Sequence, residues 1–199
     1  MSQRRRDKRL NQRDTYPRFL IVCEGTKTEP NSFEHIRSGF RRGMVNINIY
    51  KFGGSGLPLI KAAMKHAENV SYTQVWCVFD RDNLSSKVFT TMYQQATKHG
   101  FNVAYSNPCF EVWYLLHFKR CFARQWLDCD TCMDKLQRYS GQPYSKTSSR
   151  FPSRLDPQRD QAITRATDLL DGYSTPDPLN DNPSTTVHIL INEIKRVFL

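Results

Sequence analysis

The sequence predicts an α/β protein with a mainly parallel sheet of four strands, flanking helices and a helical C-terminal portion. Short apolar runs and one alternating segment predict the strands, and segments with apolar residues at helical spacing lie between them. Strands that alternate with helices at these lengths indicate β-α-β crossovers, which place the strands side by side and parallel.

The first half of the chain contains the predicted sheet. The run 19–23 is apolar at every position, which is typical of a strand buried on both faces, and residues 45–50 alternate apolar and polar with period two. The runs 75–79 and 101–105 are the third and fourth strands. The intervening helices are predicted over residues 29–41, 57–69 and 83–99.

The second half is predicted to be helical, with long polar connections. Ser184, Thr185 and Thr186 can cap the last helix, which runs to Leu199. The other predicted segments are helices over 109–118, 123–139 and 159–170 and loops over 142–157 and 172–183. The domain organisation expected from these patterns is a basic disordered tail (1–17), an α/β core (18–118) and a helical extension packed on that core (119–199).

The charge is strongly positive, since 29 Lys and Arg face 19 Asp and Glu and the net charge is +10. Residues 1–18 hold seven bases against two acids, and residues 119–165 hold ten against five. A polyanion is the natural partner of such segments, because Lys and Arg contacts to phosphate release counterions. A solvated tail with no specific partner is the alternative for the N-terminal segment. The tail residues expected to bind nucleic acid are Arg4, Arg5, Arg6, Lys8 and Arg9.

The sequence favours a cytoplasmic protein with no membrane contact. No apolar run approaches the ~18–20 residues that span a bilayer, and the N-terminus lacks the apolar segment of a secretory signal. A reducing compartment makes the six cysteines free thiols by default. Cys129 and Cys132 form one CxxC with Cys121 and His117 upstream, so ordinary thiols and an irregular zinc site are the two interpretations.

Five carboxylates follow the predicted strands or open the next helices. Ligands of parallel α/β sheets bind at the carboxyl ends of the strands. Like charges gathered there repel unless a cation such as Mg²⁺ or Mn²⁺ binds them, and a carboxylate-bound metal beside basic segments indicates phosphodiester chemistry. The alternative is that each acid acts separately, as a helix cap or a first-turn acid. These residues are Glu24, Glu29, Asp80, Asp82 and Glu111.

The segment Gly53-Gly54-Ser55-Gly56 precedes the second predicted helix. It is either a flexible turn or a phosphate cradle at a helix N-terminus. It lacks the Lys-Ser/Thr ending of a P-loop, so no ATP or other nucleotide cofactor is expected.

Four segments together resemble the signature motifs of the RloB-like family. The first contains Ile21-Val22-Cys23-Glu24-Gly25 and extends to residue 33, and the second is the acidic Asp80-Arg81-Asp82 element with its preceding strand. The third and fourth are residues 106–118 and 182–188. RloB-like proteins are similar to the Toprim superfamily, which includes topoisomerases, primases and OLD nucleases, and family members occur with bacterial restriction and phage-defence systems.

The resemblance implies a role for each matching residue. Glu24 corresponds to the Toprim glutamate, a metal ligand or general acid/base, and Asp80 and Asp82 correspond to the DxD element, with Asp80 the direct ligand. Glu29 and Glu111 resemble the additional acids of two-metal OLD-type sites. The basic residue expected to neutralise the transition state is Lys146, and the further nucleic-acid contacts expected are Lys27, Arg150 and Arg154.

The function expected from these residues is a Mg²⁺- or Mn²⁺-dependent nuclease of RNA or DNA in antiphage defence by abortive infection. An ATPase encoded in the same locus is a possible partner. The alternative is a non-catalytic nucleic-acid-binding or defence-complex subunit that keeps a Toprim fold. A topoisomerase or primase is disfavoured, because either needs more chain, and a nucleotide phosphotransferase is disfavoured by the missing P-loop.

Overall fold

A computed structural model of the protein describes residues 17–40, 45–82 and 84–198. Residues 1–16 of the predicted tail lie outside the described part of the chain. They include the predicted nucleic-acid contacts Arg4, Arg5, Arg6, Lys8 and Arg9. The described strands are β1 (Arg18–Cys23), β2 (Asn46–Lys51), β3 (Gln74–Asp80), β4 (Asn102–Asn107) and β5 (Ser184–Thr185).

The strands form one sheet in the order β2-β1-β3-β4-β5. The first four are parallel to their neighbours, and β5 pairs antiparallel with β4. The predicted α/β class with a mainly parallel sheet is therefore confirmed. The sheet differs from the prediction by its fifth strand, which is two residues long.

Seven α-helices and one 3-10 helix lie in the part of the chain that the structure describes. The 3-10 helix spans Pro152–Gln158, and all but its last residue lie in the segment predicted as a loop. The helices are α1 (Thr28–Ser38), α2 (Leu57–Glu68), α3 (Ser86–Lys98), α4 (Glu111–Phe118), α5 (Cys129–Ser140), α6 (Arg159–Asp171) and α7 (Val187–Phe198). Of these described helices, none is long and apolar enough to cross a membrane.

The sheet is covered on both faces, because alternate residues of its central strands enter two different cores. Ile21 and Val78 face the core formed with α1 and the helices after residue 110, and Val22 and Cys77 face the core formed with α2 and α3. This explains why the central strands are apolar at every position. The helical C-terminal portion thus packs on one face of the sheet.

The predicted helix over 123–139 is wrong at its start. The structure begins α5 at Cys129, and the carboxylate of Asp128 accepts a hydrogen bond from the N–H of Thr131 at 2.7 Å, as an N-cap does. Arg124 has a φ of +62°, which a right-handed helix does not permit. The preceding residues therefore form an irregular segment on the surface.

Candidate active site

A cavity of about 460 Å³ opens at the carboxyl ends of β1 and β3. Gly53, Gly54 and Ser55 line one wall, and Lys27 and Lys146 also reach it. We call it the acidic cavity, because it is lined by all five predicted carboxylates: Glu24, Glu29, Asp80, Asp82 and Glu111.

Glu24 and Asp80 are brought together by the pairing of β1 with β3. Each directly follows or ends its strand, and the N–H of Asp80 donates to Glu24 Oε2 at 3.1 Å. The hydroxyl of Ser55 and the N–H of Gly56 also donate to Glu24. Burial raises the pKa of the Glu24 carboxyl, these hydrogen bonds oppose that increase, and the charge of Asp82 adds to it.

Asp80 has the least satisfied carboxylate of the cavity. Among the residues that the structure describes, its Oδ1 is buried and has no hydrogen-bond partner. Burial raises the pKa of Asp80 well above its usual range, the charges of Glu29, Glu111 and Asp82 raise it further, and a hydrogen bond from the backbone of Phe110 opposes them only in part. An ionised carboxylate at this position is therefore costly unless a cation or a proton compensates its charge.

Glu29 and Glu111 lie in the first turns of α1 and α4 and line the acidic cavity. Glu29 Oε1 accepts a hydrogen bond from the N–H of Gly25 at 3.2 Å, and a Cβ at Gly25 would collide with this carboxylate. Burial raises the pKa of Glu29, as do the charges of Glu111 and Glu24. Glu111 is 1% exposed and accepts a hydrogen bond from the Tyr144 hydroxyl at 2.7 Å.

Lys146 provides a positive charge at the mouth of the acidic cavity. Its Nζ lies 3.9 Å from Glu111 Oε1, and its side chain is 48% exposed. Burial works to lower the pKa of Lys146, but the charge of Glu111, followed by Cys109 and Asp80, outweighs it and the pKa is raised. Lys146 is therefore a persistent cation that faces the carboxylates.

The other predicted nucleic-acid contacts are distributed differently. Lys27 is exposed at the edge of the acidic cavity. Arg150 and Arg154 are exposed at the start of the 3-10 helix and do not line that cavity. Within the described residues, the positive charges that line the acidic cavity thus come from the two lysines, Lys27 and Lys146.

Three thiols lie beside the cavity, an arrangement that the sequence patterns do not predict. Cys109, two residues before α4, contacts Cys129 and Cys132 of α5, and the thiol of Cys129 donates to Asp82 Oδ2 at 3.1 Å. Of the two upstream residues considered for zinc, His117 is buried and its Nδ1 forms a hydrogen bond with the carbonyl of Trp113. The position of Cys109 close to the end of β4 is visible in the sequence. The packing of α5 against it is not, because no local pattern indicates that contact.

In the described residues, no three His, Cys, Asp or Glu side chains are already arranged to hold a metal ion. Glu24, Glu29, Asp82 and Glu111 each have a hydrogen-bond partner in the protein, whereas the buried Oδ1 of Asp80 has none among the described residues. A divalent cation would therefore require several carboxylates to turn toward a common point. All of them supply the oxygen ligands that Mg²⁺ and Mn²⁺ prefer.

The fold and the site define an α/β protein with an acidic cavity at the carboxyl edge of a parallel sheet. The family model described as RloB-like protein matches residues 19–194, a range that contains every residue of that cavity. The chain therefore belongs to the RloB-like family. No curated protein and no solved structure matches it significantly.

Proposed function

We propose that this protein is a metal-dependent nuclease that hydrolyses phosphodiester bonds of RNA or DNA in bacterial antiphage defence. The observation that carries the proposal is the buried Asp80 carboxylate, whose Oδ1 has no partner among the described residues and faces other acids. An ionised carboxylate in such an arrangement destabilises the protein unless a bound cation or a proton compensates its charge, and carboxyls perturbed in this way are concentrated at functional sites.

The donor set fits a hard divalent cation. Glu24, Asp80 and Asp82 would be its ligands, with Glu29 and Glu111 available for a second ion, as the resemblance to OLD-type two-metal sites implies. When bound, Mg²⁺ or Mn²⁺ supplies Lewis-acid polarisation of the phosphoryl oxygen and lowers the pKa of a coordinated water. Because no three potential ligands of the described chain already surround one point, binding of the cation would require the carboxylates to reorient.

The chain's own residues position the substrate and balance its charge. Lys146 lies on the solvent side of Glu111, where it would contact a phosphate oxygen and stabilise the charge that develops on it. The N–H of Asp80 holds the Glu24 carboxylate in place through a 3.1 Å hydrogen bond, so these two acids are oriented together. Lys27 extends the positive rim of the acidic cavity toward solvent.

Nucleic acid is the substrate that the charge of the chain favours. The net charge is +10, although the cavity itself is lined by five acids and two lysines. Long-range attraction of a polyanion and local capture of a cation are therefore assigned to different parts of the protein. A cytoplasmic location and an ATPase partner from the same defence locus belong to this proposal.

A non-catalytic nucleic-acid-binding or defence-complex subunit is the second candidate. The observation that favours it is that no three potential ligands of the described chain are already placed around one point. This candidate predicts that Asp80→Ala and Glu24→Ala leave nucleic-acid binding and protection against phage intact.

A cleavage assay separates the two candidates. The full chain would be incubated with structured RNA, single-stranded DNA and plasmid in Mg²⁺ or Mn²⁺, alone and with the ATPase partner. Asp80→Ala should abolish cleavage while circular dichroism stays native, and Asp134→Ala, which removes an exposed acid of α5 outside the cavity, should not. Absence of cleavage under all conditions would contradict the nuclease and favour the second candidate.

A further inference from the structure

Trp126 is an exposed tryptophan in a chain that buries its other two. Trp76 and Trp113 are 3% and 1% exposed, whereas Trp126 is 77% exposed. Exposing an indole ring to water forgoes about 25 cal/mol for each Å² of apolar surface, so a ring displayed in this way is a candidate binding surface.

Trp126 stands between two cavities, one of which adjoins the acidic cavity. The adjoining cavity, of about 500 Å³, is lined by Trp126 and by Asp82, and Asp82 also lines the acidic cavity. A third cavity, of about 310 Å³, is lined by Trp126 together with Arg124. Asp82 thus lies between the carboxylates of the acidic cavity and the cavity that Trp126 lines.

The backbone that carries Trp126 is fixed by contacts from distant parts of the chain. The side-chain amide of Asn182 accepts from the N–H of Leu127 at 2.8 Å and donates to its carbonyl at 2.9 Å. The left-handed backbone of Arg124 is held by the hydroxyl of Tyr173, which accepts from the Arg124 N–H at 3.1 Å. The segment is therefore a rigid support for an exposed ring.

The charge of the adjoining cavity excludes a phosphate as its occupant. Asp82, Asp128 and Asp130 line it, and Arg81 is the one basic side chain among the lining residues. The guanidinium of Arg81 is already used in donating to the carbonyls of Leu179 and Leu84. A neutral nucleobase avoids this repulsion, and its exocyclic amino groups can donate to carboxylates.

We propose that Trp126 stacks on an unpaired nucleobase adjacent to the phosphodiester that is held at the acidic cavity. This inference rests on the proposed nuclease function and specifies its substrate class: single-stranded nucleic acid, or a structured one that presents an unpaired base. An aromatic side chain stacks on any base, but only when the base is free of its own stack in a duplex. A protein partner is the competing occupant, but among the described residues the adjoining cavity is lined by few other apolar side chains, those of Leu127, Leu179 and Pro108.

Intrinsic fluorescence tests the proposal without any cleavage, because Trp126 is the exposed one of the three tryptophans. The full chain in EDTA would be titrated with a short single-stranded oligonucleotide, its RNA equivalent, the matching duplex and an abasic version of the same strand. Base-containing single strands should quench the solvent-exposed emission. The duplex and the abasic strand should quench it much less.

Affinity measurements on variants complete the test. Trp126→Ala should weaken single-strand binding about 5- to 150-fold, the equivalent of about 1–3 kcal/mol for one stacked base. Trp126→Phe should restore most of the affinity, and Ile189→Ala, which alters a 44% exposed apolar residue of α7, should change nothing.

Unchanged affinity in Trp126→Ala, or equal quenching by the abasic strand, would overturn the proposal. A loss of self-association or partner binding in place of oligonucleotide binding would overturn it in favour of a protein contact. Metal-dependent cleavage that Asp80→Ala abolishes would still support the nuclease function after either of these results. Failure of the stacking proposal is therefore distinguishable from failure of the nuclease proposal.

Discussion

Replacing Asp80 by asparagine is expected to stabilise the protein when no divalent cation is present. Asp80 Oδ1 is a buried atom that lacks a hydrogen-bond partner in the described chain, and a buried unsatisfied polar group costs about 1–3 kcal/mol. Asparagine has nearly the same shape, keeps the backbone N–H that bonds Glu24, and can donate to the surrounding carboxylates. The free energy of unfolding should therefore rise by about 1–3 kcal/mol.

Thermal unfolding in EDTA measures this effect. For a chain of this length, 1 kcal/mol corresponds to about 2–4 °C, so Tm should rise by about 2–12 °C at neutral pH. Asp134→Asn, at an exposed site of α5, is the matched control and should stay within about 0.5 kcal/mol of the original protein.

The stability advantage of Asp80→Asn should depend on pH, and the raised pKa of Asp80 fixes the direction of that dependence. Because the pKa of Asp80 is raised in the folded protein, its carboxyl costs no stability below the unfolded pKa of about 3.9, and the cost grows as pH rises through the folded pKa. The advantage of Asp80→Asn should therefore disappear as pH falls toward about 4.

Addition of a divalent cation should cancel most or all of the stability advantage of Asp80→Asn. Mg²⁺ at a hundred times its Kd would stabilise the original protein by about 2.7 kcal/mol, and Asp80→Asn should lose most of that gain. The reasoning is refuted if Asp80→Asn lowers Tm in EDTA, or if Mg²⁺ raises the Tm of both proteins equally.

Three further substitutions test separate contacts of the site. Tyr144→Phe removes the 2.7 Å hydrogen bond to the buried Glu111 carboxylate and should lower the free energy of unfolding in urea by about 1–3 kcal/mol; an unchanged midpoint would contradict the geometry. Asn182→Ala frees both backbone groups of Leu127 and should cost at least as much, with a changed Trp126 emission maximum, whereas an unaltered spectrum would mean that the support is not rigid. Lys146→Ala should reduce cleavage strongly but alter stability by no more than about 1 kcal/mol, because the Lys146 side chain is 48% exposed and its Nζ lies 3.9 Å from Glu111 Oε1; equal cleavage would remove its assigned role.

The sheet and its acidic edge could be predicted because the signals for them are local. Residues 19–23 and 75–79 are apolar without interruption, so their burial, their strand type and the place where each strand ends are all visible in the sequence. Glu24 and Asp80 follow from those endings, since neighbouring parallel strands present their last residues at one edge.

The elements that were missed depend on contacts between distant residues. Strand β5 consists of two polar residues, Ser184 and Thr185, which pair antiparallel with β4 and place the Thr185 hydroxyl 3.0 Å from that of Ser106. In the sequence these residues resemble a helix cap, and the Thr185 hydroxyl does accept a hydrogen bond from the N–H of Val187 at 3.3 Å, at the start of α7. One short segment thus serves both elements.

The irregular segment before α5 could not be predicted for the same reason. Arg124 and Leu127 are held by side chains that follow them by 49 and 55 residues. The local spacing of apolar residues does not indicate contacts at such separations. The exposure of Trp126 near the acidic cavity is a consequence of that segment. The role proposed for Trp126 therefore depends on tertiary structure that the sequence patterns do not reveal.

The location of a bound divalent ion tests the account most directly. Crystals of the full chain equilibrated with Mn²⁺ would give an anomalous-scattering peak at each bound ion. The account predicts a peak in the acidic cavity, within about 2.0–2.6 Å of carboxylate oxygens that include Asp80, and its loss in Asp80→Asn. A cavity that stays empty at saturating Mn²⁺, or a peak bound elsewhere that survives the substitution, would contradict it.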